Sequence, residues 1–435
     1  MAEIDRDALY AKVRWRLMPL LVLCYVSAFI NRSNIGFAKL QFVKDLGFDE
    51  VVYGFGAGIF YAGYMIFEVP SNLYLAKRGA RRTLLRIMIL WGLASAGMAL
   101  MQTPTQFYAL RVLLGAAEAG LFPGVLLYLT FWVPASRRAR FTSVFMVSIA
   151  LSGLIGGPLS SLIMGGLNGT MGLAGWQWLF IVEGLPSCVL GVIAYAYLSN
   201  GPGEAPWLDP AERVAILDDL QRDHKSATGP VHRSFGPVLR DPRFYVLVCM
   251  AYALFASIGA VSFWLPSIIR ESGVRSVGLI GMLSAIPYLI GACAQILVGR
   301  HSDKHLERRW HTAGPALIAA VSWGLLPILG GHPVPALVIL CLATAGTLAS
   351  MVPFWTIPPT LLTGTAVAAG IALISTVGSF ANLVSPMLVG WLARRTGSLA
   401  AGQYYYAVVT ALGALALAIG GRQRPAVVQP TSREA

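Results

Sequence analysis

The chain has 435 residues, of which 56% are hydrophobic and 12% are charged, and its formal net charge is +13. Soluble domains carry about 25% charged residues, so this composition argues against a soluble protein. The basic residues form short clusters between apolar runs, which favours a membrane protein with basic cytoplasmic loops over a nucleic-acid-binding protein.

Apolar segments of roughly 20 residues, the length that crosses a bilayer as a helix, recur along the whole chain. The first run is long and enters directly into the repeated pattern, so we expect no cleavable signal peptide. The sequence predicts an all-α membrane protein. We predict twelve spans, at residues 17–37, 51–75, 84–102, 106–132, 142–164, 176–198, 243–269, 276–300, 312–330, 333–361, 365–392 and 400–421.

One long polar segment, residues 199–242, divides the spans into six and six. Within it, the sequence after Pro210 predicts a short amphipathic helix. We therefore predict an N-terminal six-helix bundle over residues 1–198, a cytoplasmic linker over 199–242 and a C-terminal six-helix bundle over 243–435.

Basic loops alternate with uncharged loops along the chain. The loop at 77–82 reads KRGARR and the one at 136–140 reads SRRAR, whereas the loop between them at 101–106 carries no charge. Because basic loops stay in the cytoplasm, we predict a multi-pass protein of a bacterial inner membrane with both termini cytoplasmic. Two loops disagree: 393–398 is basic on the predicted outer side, and 359–367 is uncharged on the inner side.

A short motif recurs in corresponding loops of the two halves. After the eighth span, Gly299 stands four residues before Asp303, and Lys304 follows. After the second span, NLYLAKRGARR (72–82) keeps the basic residues but has Asn and Ala where the later copy has Gly and Asp. Such a repeat is typical of transporters built from two related halves.

A twelve-span chain split six and six, with this motif after the second and eighth spans, resembles the major facilitator superfamily. Four stretches resemble its anion:cation symporter family, which includes bacterial tartrate, phthalate, hydroxyphenylacetate and sugar-acid permeases. They are NRSNIGFA (31–38), FEVPSNLYL (67–75), RVLLGAAEAGLFPG (111–124) and GRHSDKHLERRWH (299–311). The resemblance covers nearly the whole chain. It implies transport of a small organic anion. We also predict a gating role for Asp303 and Lys304.

Arg32 lies about 22 Å along the axis of the first span, at ~1.5 Å per residue. A charge near the centre of a bilayer costs several kcal/mol unless it is paired or lines a polar cavity. We predict that Arg32 binds a substrate carboxylate, because its planar fork matches that group bidentately, and the family resemblance implies the same role. The alternative is a structural arginine that holds neighbouring helices through backbone carbonyl groups.

Arg111 and Glu118 stand seven residues apart in the fourth span, which puts them on nearly the same helix face. We predict that Arg111 contacts substrate, with snorkelling to the membrane surface as the alternative. Glu118 is flanked by small residues, and Pro123 is expected to kink the helix beyond it. We predict that Glu118 carries the coupled proton, as the family resemblance also implies.

Asn31 departs from the family, which usually has aspartate at this position as a second proton-coupling group. Asparagine is close to isosteric but cannot titrate. Either this lineage couples protons differently or the acid has been replaced. Restoring aspartate is expected to increase proton-driven accumulation.

Three further polar residues lie in spans of the N-terminal half. Glu68, near the cytoplasmic end of the second span, is expected to pair with loop arginines at an inner gate. Tyr64, one turn earlier, is expected to face the cavity, because family members place a polar aromatic residue there. For Glu183, in the sixth span, we expect a packing or gating role.

The C-terminal half offers aromatic and neutral polar residues, of which we select Phe354, Trp355, Ser379 and Asn382 as substrate contacts. Packing in the core remains an equal alternative for each. The three prolines and adjacent aromatic pair of MVPFWTIPPT (351–360) predict a broken helix, which membrane proteins tolerate where it lines a cavity.

These features favour a secondary transporter that imports a small organic anion with protons by alternating access. An anion uniporter or exchanger with weakened proton coupling is the alternative, because Asn31 replaces the acid. No catalytic motif, phosphate loop or metal-ligand spacing is present, so we predict no enzyme activity, no cofactor and no metal. The expected partners are the anion, protons and lipid, with the protein as a monomer and without nucleic acid.

Overall fold

The structure is a computed structural model that describes residues 4–226, 241–358 and 366–420, together with Leu239. Its described α-helices, in chain order, are α1 (Arg6–Asp45), α2 (Glu50–Arg78), α3 (Ala80–Gly97), α4 (Pro104–Glu118), α5 (Leu121–Thr130), α6 (Ala135–Gly166), α7 (Gly175–Tyr197), α8 (Pro210–Ser226), α9 (Pro242–Glu271), α10 (Val277–His305), α11 (Arg309–Leu329), α12 (Pro333–Thr356), α13 (Ala366–Thr396) and α14 (Ala400–Gly420).

Twelve segments of the described chain are long and apolar enough to cross a membrane, which confirms the prediction. Helices α4 and α5 together form the fourth of them, and α8 is the polar helix expected after Pro210. The first helix runs from Arg6 to Asp45, well beyond the predicted 17–37. Its ends are polar, so a hydrophobicity criterion misses them, although Asp5 caps the start by accepting from Asp7 N at 2.8 Å.

The fourth span is broken between Glu118 and Leu121, not kinked at Pro123 as predicted. Gly120 adopts φ +88°, a left-handed conformation that disfavours residues with a Cβ atom. Pro123 falls in the first turn of α5, where its missing N–H group costs no helical hydrogen bond. The break therefore leaves Glu118 as the last residue of α4.

The predicted break in MVPFWTIPPT lies partly outside the described residues. Helix α12 continues through Pro353 and ends at Thr356, whereas 359–365 are not described.

The helices form two six-helix bundles, with spans one to six in the N-terminal half and spans seven to twelve in the C-terminal half. We call the side that carries the start of α1 and the helix α8 the termini face. The opposite side, which carries the loop at 46–49, is the first-loop face. Helix α8 lies against the N-terminal half, where Lys12 pairs with Glu212 at 2.7 Å and Tyr10 Oη donates to Asp219 at 3.1 Å.

Polar contacts join the two halves at the first-loop face. Tyr53 Oη of α2 donates to Phe263 O of α9 at 2.7 Å. Arg270 Nη1 of α9 donates to Leu40 O of α1 at 2.5 Å. Asp49 pairs with Arg394 of α13 at 3.2 Å. These bonds hold the halves together on the side where α1 ends and α2 begins.

Glycine lets the helix backbones of the two halves meet on this face. A Cβ atom on Gly54 of α2 would lie 2.3 Å from Pro386 O of α13. A Cβ atom on Gly157 of α6 would lie 2.7 Å from Gly281 O of α10. Small residues at helix crossings permit this close approach in membrane bundles.

Candidate functional site

An ion pair between Arg32 and Glu118 forms the centre of the candidate site. Arg32 Nη2 donates to Glu118 Oε1, joining the middle of α1 to the end of α4. The Arg32 side chain is 16% exposed and the Glu118 side chain is 1% exposed. Glu118 Oε2 and Arg32 Nε have no hydrogen-bond partner among the described residues. Each partner of the pair therefore retains a buried polar atom without a described hydrogen bond.

Three aromatic rings of α2 surround the guanidinium of Arg32. Its Cζ lies 5.4 Å from the ring centre of Phe60, 5.9 Å from that of Tyr61 and 5.4 Å from that of Tyr64. Aromatic faces attract a cation, most strongly where water is excluded. Tyr64, selected from the sequence, therefore lies beside Arg32, and Phe60 and Tyr61 were not anticipated.

Arg111 is held by the backbone of α2. Its Nε donates to Gly56 O at 2.9 Å and its Nη2 donates to Ala57 O at 3.3 Å. The side chain is 1% exposed, a burial that does not fit the snorkelling alternative. Arg111 thus makes the helix-holding contacts that were the alternative for Arg32. Both guanidinium groups also lie near the ring of Phe60, at 4.8 Å for Arg111 and 5.4 Å for Arg32.

Asn31 lies next to Arg32 in sequence but on another side of α1. Its Nδ2 donates to Ser27 O at 2.9 Å and to Glu183 O at 2.8 Å. Its Oδ1 accepts from Ser95 Oγ at 2.6 Å. Every hydrogen-bonding group of the amide is used inside the N-terminal half, so Asn31 is not a member of the Arg32–Glu118 pair.

The three predicted gating residues lie toward the termini face. Glu68 is half-buried on α2 and lies within electrostatic range of Arg32, rather than beside a described loop arginine. Asp303 pairs with Arg308 at 2.6 Å, inside the C-terminal half. Lys304 is exposed. The described contacts of these residues do not bridge the halves.

The four residues selected from the C-terminal half are not gathered around Arg32 in the described contacts. Phe354 is fully buried in the core of its own half, and its ring lies 5.3 Å from that of Trp355. Ser379 and Asn382 are 8% and 4% exposed. Asn382 Oδ1 is buried without a described partner, so it has a free acceptor.

A narrow crevice between the halves was not anticipated from the sequence. It is lined by residues of α1, α6, α9 and α10, and its polar groups are five hydroxyls: Ser33, Ser152, Ser262, Ser284 and Tyr288. A lone serine in an apolar helix carries no sequence signal, because it commonly bonds to the preceding turn of its own helix. Only the packing of the two halves brings these hydroxyls together.

Within the described ranges, no group of three or more His, Cys, Asp or Glu side chains is arranged to hold a metal ion. The candidate site thus consists of a cation, a carboxyl group, aromatic rings and hydroxyls. Such a set can bind a solute and exchange a proton.

Two packed six-helix bundles with twelve spans define a multi-pass membrane transporter of the kind that works with two related halves. Residues 21–386 match the Major Facilitator Superfamily, and the chain belongs to this family. The family prediction made from the sequence is therefore confirmed.

Similar proteins agree with the narrower resemblance. The chain is 42% identical to a putative tartrate transporter of Agrobacterium vitis, over 95% of both chains. It is 42% identical to the putative metabolite transport protein NicT of Pseudomonas putida, over 93% of both chains. Among solved structures, it resembles a bacterial homologue of the human lysosomal transporter Spinster, in an inward-facing and occupied conformation. The TM-score is 0.75 at 16% identity, over 95% of this chain and 99% of that chain, so this likeness concerns the fold.

Proposed function

We propose that the protein imports a small organic anion together with protons, and that Arg32 binds the carboxylate of the substrate. The ion pair of Arg32 with Glu118 carries the proposal. Arg32 is partly exposed while its partner acid is fully buried, so the guanidinium stays accessible on one side. The names of the similar tartrate and metabolite transporters support an organic anion.

In the proposed mechanism, the substrate carboxylate and Glu118 compete for Arg32. With both residues charged, the pair is neutral and the guanidinium is occupied. A proton on Glu118 removes that competition, so Arg32 can form two parallel hydrogen bonds with a substrate carboxylate. Protonation and anion binding then favour each other, which is the thermodynamic requirement for symport.

The substrate we favour is a hydroxylated carboxylic acid. Arg32 provides for one carboxylate, and the nearby Tyr61 and Tyr64, whose ring centres lie 5.9 Å and 5.4 Å from its Cζ, carry hydroxyl groups that can serve polar substituents. The aromatic rings of α2 shield the guanidinium from lipid and also offer a surface for an aromatic acid. Tartrate, sugar acids and aryl acids are therefore the three classes to compare.

The conformation supports alternating access. The halves are bonded to each other at the first-loop face, and Arg32 lies on the termini side of these contacts. If both termini are cytoplasmic, as the loop charges predict, the bonded first-loop face is the periplasmic one. Rocking of the halves would open the first-loop face.

Uptake into proteoliposomes tests the proposal. A thermal-shift panel of hydroxy acids, sugar acids and aromatic acids first identifies a ligand, and the labelled ligand is then used for uptake. We expect an imposed inward proton gradient to drive accumulation, and Arg32→Gln to abolish both binding and uptake. Uptake that equilibrates without accumulation would instead support a uniporter. Binding that persists in Arg32→Gln would refute the assignment of Arg32.

A further inference from the structure

Glu183 places a second carboxyl group inside the N-terminal half, apart from the Arg32–Glu118 pair. It lies in α7 and is 5% exposed. Its Oε1 accepts from Ser160 Oγ of α6 at 2.8 Å. Its Oε2 accepts from Asn34 Nδ2 of α1 at 2.9 Å. Both donors are neutral, so these bonds bring no countercharge to the acid.

Charged groups on the surrounding helices either bond to other residues or lie several turns away along the chain. Arg32 bonds to Glu118, and Lys39 bonds to Glu50 at 2.7 Å. The other titratable or charged side chains nearest along the chain, on α3, α6 and α7, are Arg86, Arg140 and Cys188. Arg86 donates to Ser71 at 2.5 Å, Arg140 lies twenty residues before Ser160, and the Cys188 thiol is directed at Ile89 O at 3.6 Å.

A carboxylate in this position would be a buried charge without a partner. Its effective desolvation penalty is several kcal/mol, and two neutral hydrogen bonds offset only part of that cost. The protonated acid fits the same neighbours. Its O–H group can donate to Ser160 Oγ, because a hydroxyl both donates and accepts, while the other oxygen still accepts from Asn34.

We infer that Glu183 is a proton-binding site, separate from Glu118, whose neutral acid joins α7 to α1 and α6. This inference goes beyond the proposed function, because it requires neither a particular substrate nor symport. The backbone of the same residue adds to the junction, since Glu183 O accepts from Asn31 Nδ2 at 2.8 Å. The two asparagines that bond to Glu183 thus flank Arg32 in the sequence of α1.

This arrangement has a consequence for the first span. Loss of the proton would place a charge between α1, α6 and α7 and weaken the junction beside Arg32. Alkaline pH is therefore expected to lower the thermal stability of the whole protein. Glu183→Gln is expected to remove that loss, because its amide donates and accepts where the neutral acid does.

Infrared spectroscopy of the purified full chain in lipid nanodiscs tests the inference directly. At near-neutral pH and without substrate, we expect a carbonyl stretching band of a protonated carboxyl group. The band should survive Glu118→Gln, disappear in Glu183→Gln and shift in Ser160→Ala, which removes one hydrogen bond. It should fade only at alkaline pH, in parallel with thermal stability.

The outcomes separate this inference from the proposed function. A protonated-carboxyl band that is unchanged in Glu183→Gln and in Ser160→Ala would overturn it, whatever the transport assays give. So would a band that titrates in the acidic range expected of an exposed glutamate. If Glu183→Gln fails to fold, the shift in Ser160→Ala still decides the question. A failure of substrate uptake alone would leave the infrared result unaffected.

Discussion

The ammonium group of Lys39 in the first span lies 4.3 Å from the ring centre of Trp264 in the seventh span. A cation of the N-terminal half is thus held against an aromatic face of the C-terminal half. Lys39 also lies 4.6 Å from the ring centre of Tyr53 and pairs with Glu50 at 2.7 Å. Lys39 is 7% exposed, so little water reaches this contact between the halves at the first-loop face.

Lys39→Met is expected to weaken this closure. A desolvated cation–π contact contributes about 1–2 kcal/mol, which corresponds to roughly a 5- to 30-fold change in the population of the open first-loop face. The Glu50 side chain is 33% exposed, so the variant does not leave a fully buried carboxylate without a partner. Spin labels at Met171 and Val334, exposed positions of the two halves, would report a longer distance by double electron–electron resonance.

Lys44→Met is the matched control, because Lys44 stands on the same helix but is exposed. It should leave the distance distribution unchanged. Identical distributions in the wild type and Lys39→Met would show that the contact with Trp264 does not hold the face closed.

Gly54→Ala is expected to shift the equilibrium between the closed and the open first-loop face through a steric clash. The added methyl group would lie 2.3 Å from Pro386 O across the interface of the halves, closer than any real contact of a Cβ atom. The two halves must therefore separate at the first-loop face, while the packing within the N-terminal half is unaffected. The same spin labels should show a shift to longer distance, and Gly165→Ala, where a Cβ atom meets nothing within 4 Å, should show none.

The two buried arginines are expected to respond differently to substitution. Arg32→Lys keeps the positive charge but loses the planar guanidinium that binds a carboxylate through two hydrogen bonds. Ligand affinity should therefore fall by about tenfold or more, while thermal stability changes little. Arg111→Lys should instead lower stability by about 2–4 kcal/mol, because Arg111 donates to two backbone carbonyl oxygens within the half. Thermal unfolding with and without ligand separates the two effects. An Arg111 variant that is fully stable but fails to bind ligand would instead support the predicted contact of Arg111 with substrate.

Much of the fold could be predicted from the sequence, because span length and loop charge are set locally by the bilayer. The ends of the spans were less predictable. Helix α1 continues to Asp45 through polar residues that a hydrophobicity criterion rejects. In the fourth span, the conformation of Gly120 outweighs the expected effect of Pro123.

The charged members of the site were also predictable, because an ionisable residue inside an apolar run is rare. The geometry of the site could not be predicted. Asn31 and Arg32 are adjacent in sequence, but a helix turns each residue by about 100°, so the side chains meet different helices. The serines of the crevice and the contact of Lys39 with Trp264 depend on which helices of the two halves are neighbours, and no local pattern encodes that.

Glu118→Gln is expected to remove the pH dependence of ligand affinity. In the wild type, affinity should rise as pH falls, because a proton on Glu118 releases Arg32 from the ion pair. Glutamine leaves Arg32 permanently free of a carboxylate partner, so affinity should be high at every pH, while proton-driven accumulation is lost. Titration calorimetry across a pH series measures the first effect, and counterflow against accumulation in proteoliposomes measures the second.

Glu212→Gln is a suitable control, because Glu212 lies in the polar helix α8 and pairs with Lys12 away from the site. It should keep the pH profile of the wild type. A Glu118→Gln protein with the full wild-type pH response would remove Glu118 from the coupling mechanism.

Asn31→Asp is expected to add a proton-dependent step. The amide of Asn31 donates to Ser27 O and Glu183 O, so an ionised aspartate would face two carbonyl oxygens and lose both bonds. The protonated acid can still donate to one of them. The variant should therefore be near wild-type in stability at acidic pH and lose about 2–4 kcal/mol as pH rises and the acid ionises.

Because transport would then require a protonated residue at position 31, proton-driven accumulation should increase in the variant. Ser95→Ala, which removes the donor to Asn31 Oδ1, is the control for a simple loss of packing, and its stability should follow the pH profile of the wild type. Thermal unfolding across pH and uptake under an imposed gradient make the comparison. If Asn31→Asp accumulates no more substrate than the wild type and its stability follows the wild-type pH profile, position 31 neither binds nor transmits a proton.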